Sequence, residues 1–279
     1  MPTFSAHDGT RLAYRVTGEG DPLVCLPGGP MQASAYLGDL GGLARHRRLI
    51  MPDPRGTGDS AVPDDPGTYR CDRLVADVEA LRRHLDLDRM DLLGHSAGTN
   101  LTVRYAERHP ERVGRLVLIT PSPMAVGLTV TADDRLETAL LRRGEPWFPA
   151  AHEALEAAVA DRATADTWQA LAPFAYGRWD EAAREHRALE DTQRNNEAAA
   201  IHGAEGAYDP DATRRALAAF RNPVLLLAGA YDLNSPTRMV AEFAGLFPDA
   251  RFEVQPGSGH FPWLDDPERF VKTVAAFLD

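Results

Sequence analysis

Five short, mostly apolar runs constrain the fold of this 279-residue sequence more than any other feature. Runs of this length and composition are typical of strands that are buried on both faces of a parallel sheet. Helical periodicity separates several of them, most clearly at residues 72–85, and predicts crossover connections between strands. The sequence therefore predicts an α/β fold in which helices flank a mostly parallel central sheet. The five runs are residues 23–26, 48–51, 90–93, 116–119 and 224–227.

Both ends of the sequence fit this architecture. Residues 3–6 and 12–16 flank the turn-forming pair Asp8-Gly9, which predicts an antiparallel hairpin at one edge of the sheet. Near the other end, Pro236 and Pro267 each indicate the start of a helix, because proline is favoured in the first helical turn. A chain of this length can form one large core that carries an inserted subdomain.

A long middle region interrupts the alternation of strands and helices. Residues 121–221 contain no convincing strand and are rich in Ala, Glu and Arg with helical periodicity. We interpret this region as a helical lid inserted into an α/β core that is formed by residues 1–120 and 222–279. The alternative is that these helices simply pack on the sheet.

Composition argues against several kinds of partner. The net charge of -11 and the lack of a basic run disfavour nucleic acid, because phosphates must be neutralised by Lys and Arg. No apolar stretch approaches the roughly 18 residues that span a bilayer, and no signal-like segment opens the sequence, so we expect a cytoplasmic protein without membrane contact. The two cysteines lack metal-ligand spacing and no phosphate-binding glycine motif follows a strand, which predicts no metal and no cofactor. A small-molecule substrate is the expected partner, and the oligomeric state is left open.

The strongest local motif is Gly94-His95-Ser96-Ala97-Gly98, which follows one apolar run and precedes a helical pattern. A strand, a sharp turn and a helix in this order would project Ser96 above the sheet. Glycines on either side of the turn remove Cβ atoms that would collide with neighbouring backbone. Ser96 is therefore the candidate nucleophile, and we expect a structural or pocket-lining role for His95.

A serine hydroxyl is a weak nucleophile at neutral pH, so it needs a base and an acid that orients the base. Asp232 follows the run at 224–227 in a loop before a helix, and His260 follows residues 252–254 in a glycine-rich loop. The order Ser, Asp, His is the one used when such a triad is built on this architecture. The sequence thus predicts His260 as the base and Asp232 as the acid, with helix capping as the alternative for Asp232.

Acyl transfer also requires backbone N–H donors for the oxygen that becomes negative. One donor is expected from Ala97, directly after the nucleophile. The other is expected from the loop Pro27-Gly28-Gly29-Pro30 after the first buried run, and Gly29 is the candidate because Pro30 has no N–H. The alternative is a Gly-Pro turn without a chemical role.

Together these motifs resemble the α/β-hydrolase superfamily and, within it, the proline iminopeptidase-like branch. The loop at 27–31 is similar to that family's His-Gly-Gly-Pro-Gly, and residues 53–60 are similar to its Asp-Gln-Arg-Gly-x-Gly-x-Ser. Trp179-Asp180 resembles the family's Trp-Glu, whose carboxylate binds the amino terminus of the substrate. The resemblance thus implies substrate-binding roles for Asp180 and for Glu190 or Glu197, and the alternative is a solvated helix face.

These residues predict a serine hydrolase that cleaves a small ester, amide or lactone through an acyl-enzyme on Ser96. The resemblance adds a proline iminopeptidase-like aminopeptidase as one form of this activity. Two alternatives stay open: carbon-carbon bond hydrolysis or a lyase reaction on the same triad, and a non-catalytic ligand-binding protein on the hydrolase scaffold.

Overall fold

An eight-stranded sheet lies at the centre of the computed structural model, which describes residues 1–279 apart from the side chain of Asp191. The strands are Thr3–Ser5 (β1), Arg11–Thr17 (β2), Pro22–Leu26 (β3), Arg48–Pro52 (β4), Met90–His95 (β5), Val113–Ile119 (β6), Val224–Gly229 (β7) and Ala250–Gln255 (β8). Their order across the sheet is β1-β2-β4-β3-β5-β6-β7-β8.

Strand direction follows the sequence prediction. β1 and β2 form an antiparallel hairpin, and β2 also pairs antiparallel with β4. All pairs from β4 through β3, β5, β6 and β7 to β8 are parallel. The five apolar runs are β3 to β7, which confirms the predicted, mostly parallel sheet. Gly9 in the hairpin turn has a φ of 87°, a conformation that glycine adopts readily.

Helices cover both faces of the sheet. They are Cys71–His84 (α1), Gly98–Arg108 (α2), Ala132–Leu140 (α3), Phe148–Val159 (α4), Ala165–Leu171 (α5), Glu181–Gln193 (α6), Asn196–His202 (α7), Pro210–Ala219 (α8), Thr237–Ala244 (α9), Pro262–Asp265 (α10) and Pro267–Leu278 (α11). Pro267 is the first residue of α11, as predicted, whereas Pro236 immediately precedes the first residue of α9.

Successive side chains along the strands pack alternately into two separate apolar clusters. On β7, Leu226 and Ala228 belong to the cluster that includes residues of α1, α2 and α9. Leu225 and Leu227 point the other way, into the cluster with α11. Burial of each such leucine stabilises the fold by about 1.5–3 kcal/mol relative to exposure. Two-sided burial explains why these strands read as continuous apolar runs.

The segment between β6 and β7 contains helices α3 to α8. Residues of α4 and α5 pack around Phe174 and Leu233 in a small apolar cluster of their own. The last helix, α8, packs against α2. Within the described part of residues 121–221, strand-like pairing is limited to a bridge between Gln32 and Arg194. We call residues 121–221 the lid region, and its function as a lid stays a prediction. No helix among the described residues has the length and apolarity that a membrane crossing requires.

Candidate active site

Ser96 lies at the turn between β5 and α2. Its φ is 51°, in the left-handed region that few residues other than glycine adopt. The turn is held by hydrogen bonds: Ser96 N donates to Ile119 O at 3.0 Å, and Ser96 O accepts from the Thr99 hydroxyl at 2.6 Å. The strand β6 backbone and the Thr99 side chain thus maintain the unusual conformation of Ser96.

The glycines beside Ser96 allow close packing around the turn. A Cβ atom at Gly94 would lie 2.3 Å from Thr102 Oγ1. A Cβ atom at Gly98 would lie 2.4 Å from the carbonyl oxygen of Leu26, where the loop after β3 begins. Side chains at either position would therefore push α2 or this loop away from Ser96.

His260 and Asp232 form a buried hydrogen-bonded pair. His260 Nδ1 lies 2.7 Å from Asp232 Oδ2, and because a carboxylate can only accept, the imidazole donates. The other carboxylate oxygen, Oδ1, accepts from Asn234 N at 2.8 Å. Asp232 is fully buried, and the Nδ1–H tautomer leaves Nε2 of His260 as the basic nitrogen.

Opposing influences act on the pKa of His260. Burial lowers this pKa, but the charge of Asp232, its hydrogen bond and the charge of Glu190 raise it. The balance is a pKa above the ordinary value of 6.5. His260 is thus a stronger base than a free imidazole, as a proton acceptor for a serine hydroxyl should be.

Ser96 and His260 line the same cavity, which has a volume of about 900 Å³. The lid region supplies much of its wall, with Leu155 and Phe174 among the apolar residues. The Ser96 hydroxyl makes no hydrogen bond to His260 within the described chain; such bonds are often loose before substrate binds. Of the three residues predicted as a triad, the structure joins two directly and places the third in the same cavity.

Gly29 and Ala97 also line this cavity. The backbone N–H of each makes no hydrogen bond to any described residue, so both donors are available to a ligand. We call residues 27–30 the Gly29 loop. This loop packs tightly on the turn at Ser96, since a Cβ at Gly28 would lie 2.9 Å from Ser96 Cβ. Two free N–H donors beside a serine suit an oxygen that gains negative charge.

A buried chain of hydrogen bonds connects the Gly29 loop to the loop of His260. His95 Nε2 lies 3.0 Å from the carbonyl oxygen of His260 and must donate, so Nδ1 accepts from Tyr36 OH at 2.7 Å. Tyr36 in turn accepts from Gly28 N at 2.7 Å. Burial and the neighbouring His260 hold the pKa of His95 well below its ordinary value, so this ring is neutral.

Residues 53–60, which carry part of the family resemblance, contact the segment that follows the Gly29 loop. Asp53 Oδ1 accepts from the backbone N–H and the hydroxyl of Ser34, at 2.8 and 2.7 Å. Arg55 is buried and pairs with Asp77 and Asp8. These contacts hold the segment that follows Gly29 and Pro30 against the sheet.

The three carboxylates predicted to bind substrate lie in different places. Asp180 caps α6 by accepting from Ala183 N at 3.0 Å, its side chain is half exposed, and it does not line the cavity. Glu197 is exposed on the first turn of α7, also outside the cavity. Glu190 alone of the three lines the cavity, and it forms an ion pair with Arg187 at 3.1 Å. The structure therefore does not bring Asp180 and Glu197 to the site.

Several site residues carried no recognisable signal in the sequence. Tyr36 lies in a short 3-10 helix, Ser34–Leu37, and Arg194 reaches the cavity because the chain pairs with Gln32 there. Such contacts between distant segments leave no local pattern that sequence reading could detect. Among the described residues, no cluster of three His, Cys, Asp or Glu side chains could hold a metal ion.

Known proteins are similar to this chain over part or nearly all of its length. The family model described as alpha/beta hydrolase fold matches residues 21–267. A proline iminopeptidase of Lactobacillus helveticus is 43% identical over 117 residues, which span 39% of this chain and only 40% of that relative. A solved proline iminopeptidase of Mycobacterium smegmatis is 25% identical, with a TM-score of 0.75 and coverage of 99% of this chain and 97% of its own.

A solved esterase, RhEst1 of Rhodococcus sp. ECU1013, is 26% identical with a TM-score of 0.75, and the match covers 99% of this chain and 98% of the esterase. These similarities confirm the resemblance predicted from the sequence motifs. Because the family model matches most of the chain, and because the sheet carries a serine turn after β5, this chain belongs to the α/β-hydrolase fold family.

Proposed function

We propose that this chain is a serine hydrolase that cleaves a small ester, lactone or amide through an acyl-enzyme. Ser96 is the nucleophile, His260 the base, Asp232 the acid that orients His260, and Gly29 and Ala97 the oxyanion donors. The observation that most directly supports this proposal is the 2.7 Å hydrogen bond between His260 Nδ1 and Asp232. His260 and Ser96 line the same cavity.

In the proposed mechanism, Ser96 Oγ attacks the carbonyl carbon while His260 Nε2 takes the hydroxyl proton. The carbonyl oxygen becomes negative and accepts hydrogen bonds from Gly29 N and Ala97 N. The tetrahedral intermediate collapses, His260 gives its proton to the leaving group, and an acyl ester on Ser96 remains. Water then attacks this ester with His260 again as base, which releases the acid and regenerates Ser96.

Ester or lactone cleavage fits the cavity better than removal of an amino-terminal residue. A peptide ammonium needs a carboxylate partner when it is desolvated, but Glu190 is already paired with Arg187, and the other described carboxylate of the cavity, Asp161, is exposed to solvent. The similarity to proline iminopeptidases favours an aminopeptidase as the second candidate. The similarity to an esterase supports the first candidate, ester or lactone cleavage.

A fluorophosphonate probe tests the nucleophile directly. We expect covalent labelling at Ser96 in the wild type and none in Ser96→Ala, with the adduct located by mass spectrometry. Ser122→Ala is a matched control because Ser122 lines the same cavity, and it should label normally. Ser96→Ala should also lower kcat by a factor of about 10⁴ or more while the protein stays folded by circular dichroism. Folded wild-type protein that fails to label would instead favour a ligand-binding role.

A substrate panel separates the remaining reactions. Acyl esters and lactones are compared with proline and alanine arylamides, each at matched concentration. Preference for arylamides with a free amine would support the aminopeptidase. Labelling at Ser96 without turnover of any ester or amide would favour carbon-carbon bond cleavage or a lyase reaction by the same residues.

A further inference from the structure

The described side chains that line the catalytic cavity differ in charge from the whole chain. The chain has a net charge of -11, yet among the described residues three arginines and two carboxylates line the cavity. One carboxylate, Glu190, is neutralised by Arg187, and the other, Asp161, is exposed to solvent. Apart from Asp161, the unpaired charges among the described lining residues are the guanidinium groups of Arg135 and Arg194, so two positive charges face one exposed negative charge.

Arg194 is fixed beside the proposed oxyanion loop by main-chain pairing. Gln32 and Arg194 form an antiparallel bridge. On either side of it, Ala33 N donates to Gln193 O at 2.8 Å and Asn195 N donates to Met31 O at 2.9 Å. Residues directly opposite each other in such a pair lie about 4.5–5.5 Å apart between Cα atoms. The pairing therefore holds Arg194 opposite Gln32, which follows Gly29 by three positions in the sequence.

The guanidinium of Arg194 has no partner among the described residues. Its Nε is buried without a hydrogen bond, and no described carboxylate forms an ion pair with it. Arg135 of α3 likewise lines the cavity without a described ion pair. The terminal nitrogens of the Arg194 guanidinium likewise make no hydrogen bond to a described residue, so both can donate to a ligand in the cavity.

We propose that the substrate of this site carries a free carboxylate, which Arg194 binds next to the reacting carbonyl. The planar guanidinium fork matches a carboxylate in geometry, and the charge of Arg135 adds to the attraction. The substrate class is then an ester or lactone of a carboxylic acid that retains a second, ionised carboxyl group. This inference rests on the proposed hydrolase function and goes further by naming the recognised group.

Two esters that differ by one methyl group, and therefore in charge, test the proposal, with each rate corrected for the reaction without enzyme. The mono-p-nitrophenyl ester of glutaric acid has a free carboxylate, and its methyl ester is the neutral counterpart. The readout is the ratio of kcat/KM for the anionic ester to that for the neutral ester, in each variant. In the wild type we expect the anionic ester to be preferred by roughly 10- to 100-fold, the range for a hydrogen bond to a charged group.

Arg194→Gln should reduce this ratio by about tenfold or more, and Arg194→Lys should retain part of it because the charge remains. Arg143→Gln is the matched control, since Arg143 is exposed in the lid region and does not line the cavity. We expect it to leave both rates unchanged. Added salt should lower the wild-type preference by screening.

The proposal is overturned if the wild type cleaves both esters equally or prefers the neutral one. It is also overturned if Arg194→Gln keeps the wild-type ratio while the fluorophosphonate still labels Ser96. Should Arg194→Gln not fold, the wild-type ratio and the Arg194→Lys ratio decide the question alone. Failure of the hydrolase function is a separate result: neither ester would be cleaved, or Ser96→Ala would cleave both.

Discussion

The protonation state of His260 links the buried acid to the reaction. Burial lowers its pKa, whereas the charge and hydrogen bond of Asp232 raise it above 6.5. Only the neutral imidazole can accept the Ser96 proton, so kcat/KM should rise with pH and level off above this pKa. The midpoint of the wild-type profile should therefore lie above 6.5.

Asp232→Asn removes the charge that raises the pKa of His260 and no longer favours the Nδ1–H tautomer. We expect kcat to fall by a factor of about 10³–10⁴ and the midpoint of the pH profile to move to lower pH. The measurement is kcat/KM of an acyl ester between pH 5 and pH 9, with Asp209→Asn as control because Asp209 only caps α8. An unchanged midpoint in Asp232→Asn would contradict the proposed role.

At the scale of elements, the contact between the Gly29 loop and the serine turn allows no added atom. A Cβ at Gly28 would lie 2.8 Å from His95 O and 2.9 Å from Ser96 Cβ. Gly28→Ala should therefore displace the loop, lower kcat at least tenfold by misplacing the Gly29 donor, and cost about 1–3 kcal/mol of stability.

Gly144→Ala is the matched control for this prediction, since a Cβ there would meet nothing within 4 Å. Kinetics with an acyl ester and urea unfolding of both variants provide the comparison. Equal activity and stability of Gly28→Ala and Gly144→Ala would show that the loop tolerates displacement.

The elements also show what the sequence can and cannot predict. The parallel strands and the serine turn were predictable because apolar runs and the Gly-x-Ser-x-Gly motif are local patterns. Asp180 illustrates the opposite case. Its carboxylate caps the start of α6, and this role depends on where the helix begins. Arg194 could not be predicted because its place depends on pairing with Gln32, far away in the sequence.

At the scale of the whole molecule, buried histidines make stability depend on pH. Burial lowers the pKa of His202 from 6.5 to about 4 in the folded protein. As pH falls below about 6.5, the unfolded chain takes up this proton first, so the free energy of unfolding decreases. The loss continues until the folded pKa is reached and is on the order of 3 kcal/mol for this group when complete.

His202→Gln should remove this contribution and flatten the dependence of stability on pH. Urea unfolding of wild type and variant between pH 7 and pH 4.5 measures the difference. His46→Gln serves as the control, because His46 is exposed and ends a short surface turn. A variant with the same slope as the wild type would mean that folding does not lower the pKa of His202.

The lid region is joined by main-chain hydrogen bonds to both loops that carry the proposed chemistry. His260 N donates to Ala175 O at 2.7 Å, and Asn195 N donates to Met31 O at 2.9 Å. Excision of residues 121–221 would consequently not yield an open, permissive enzyme, because the base and an oxyanion donor would both lose their anchorage. Grafting a lid from a relative would have to reproduce these backbone partners before any change in substrate range could be tested.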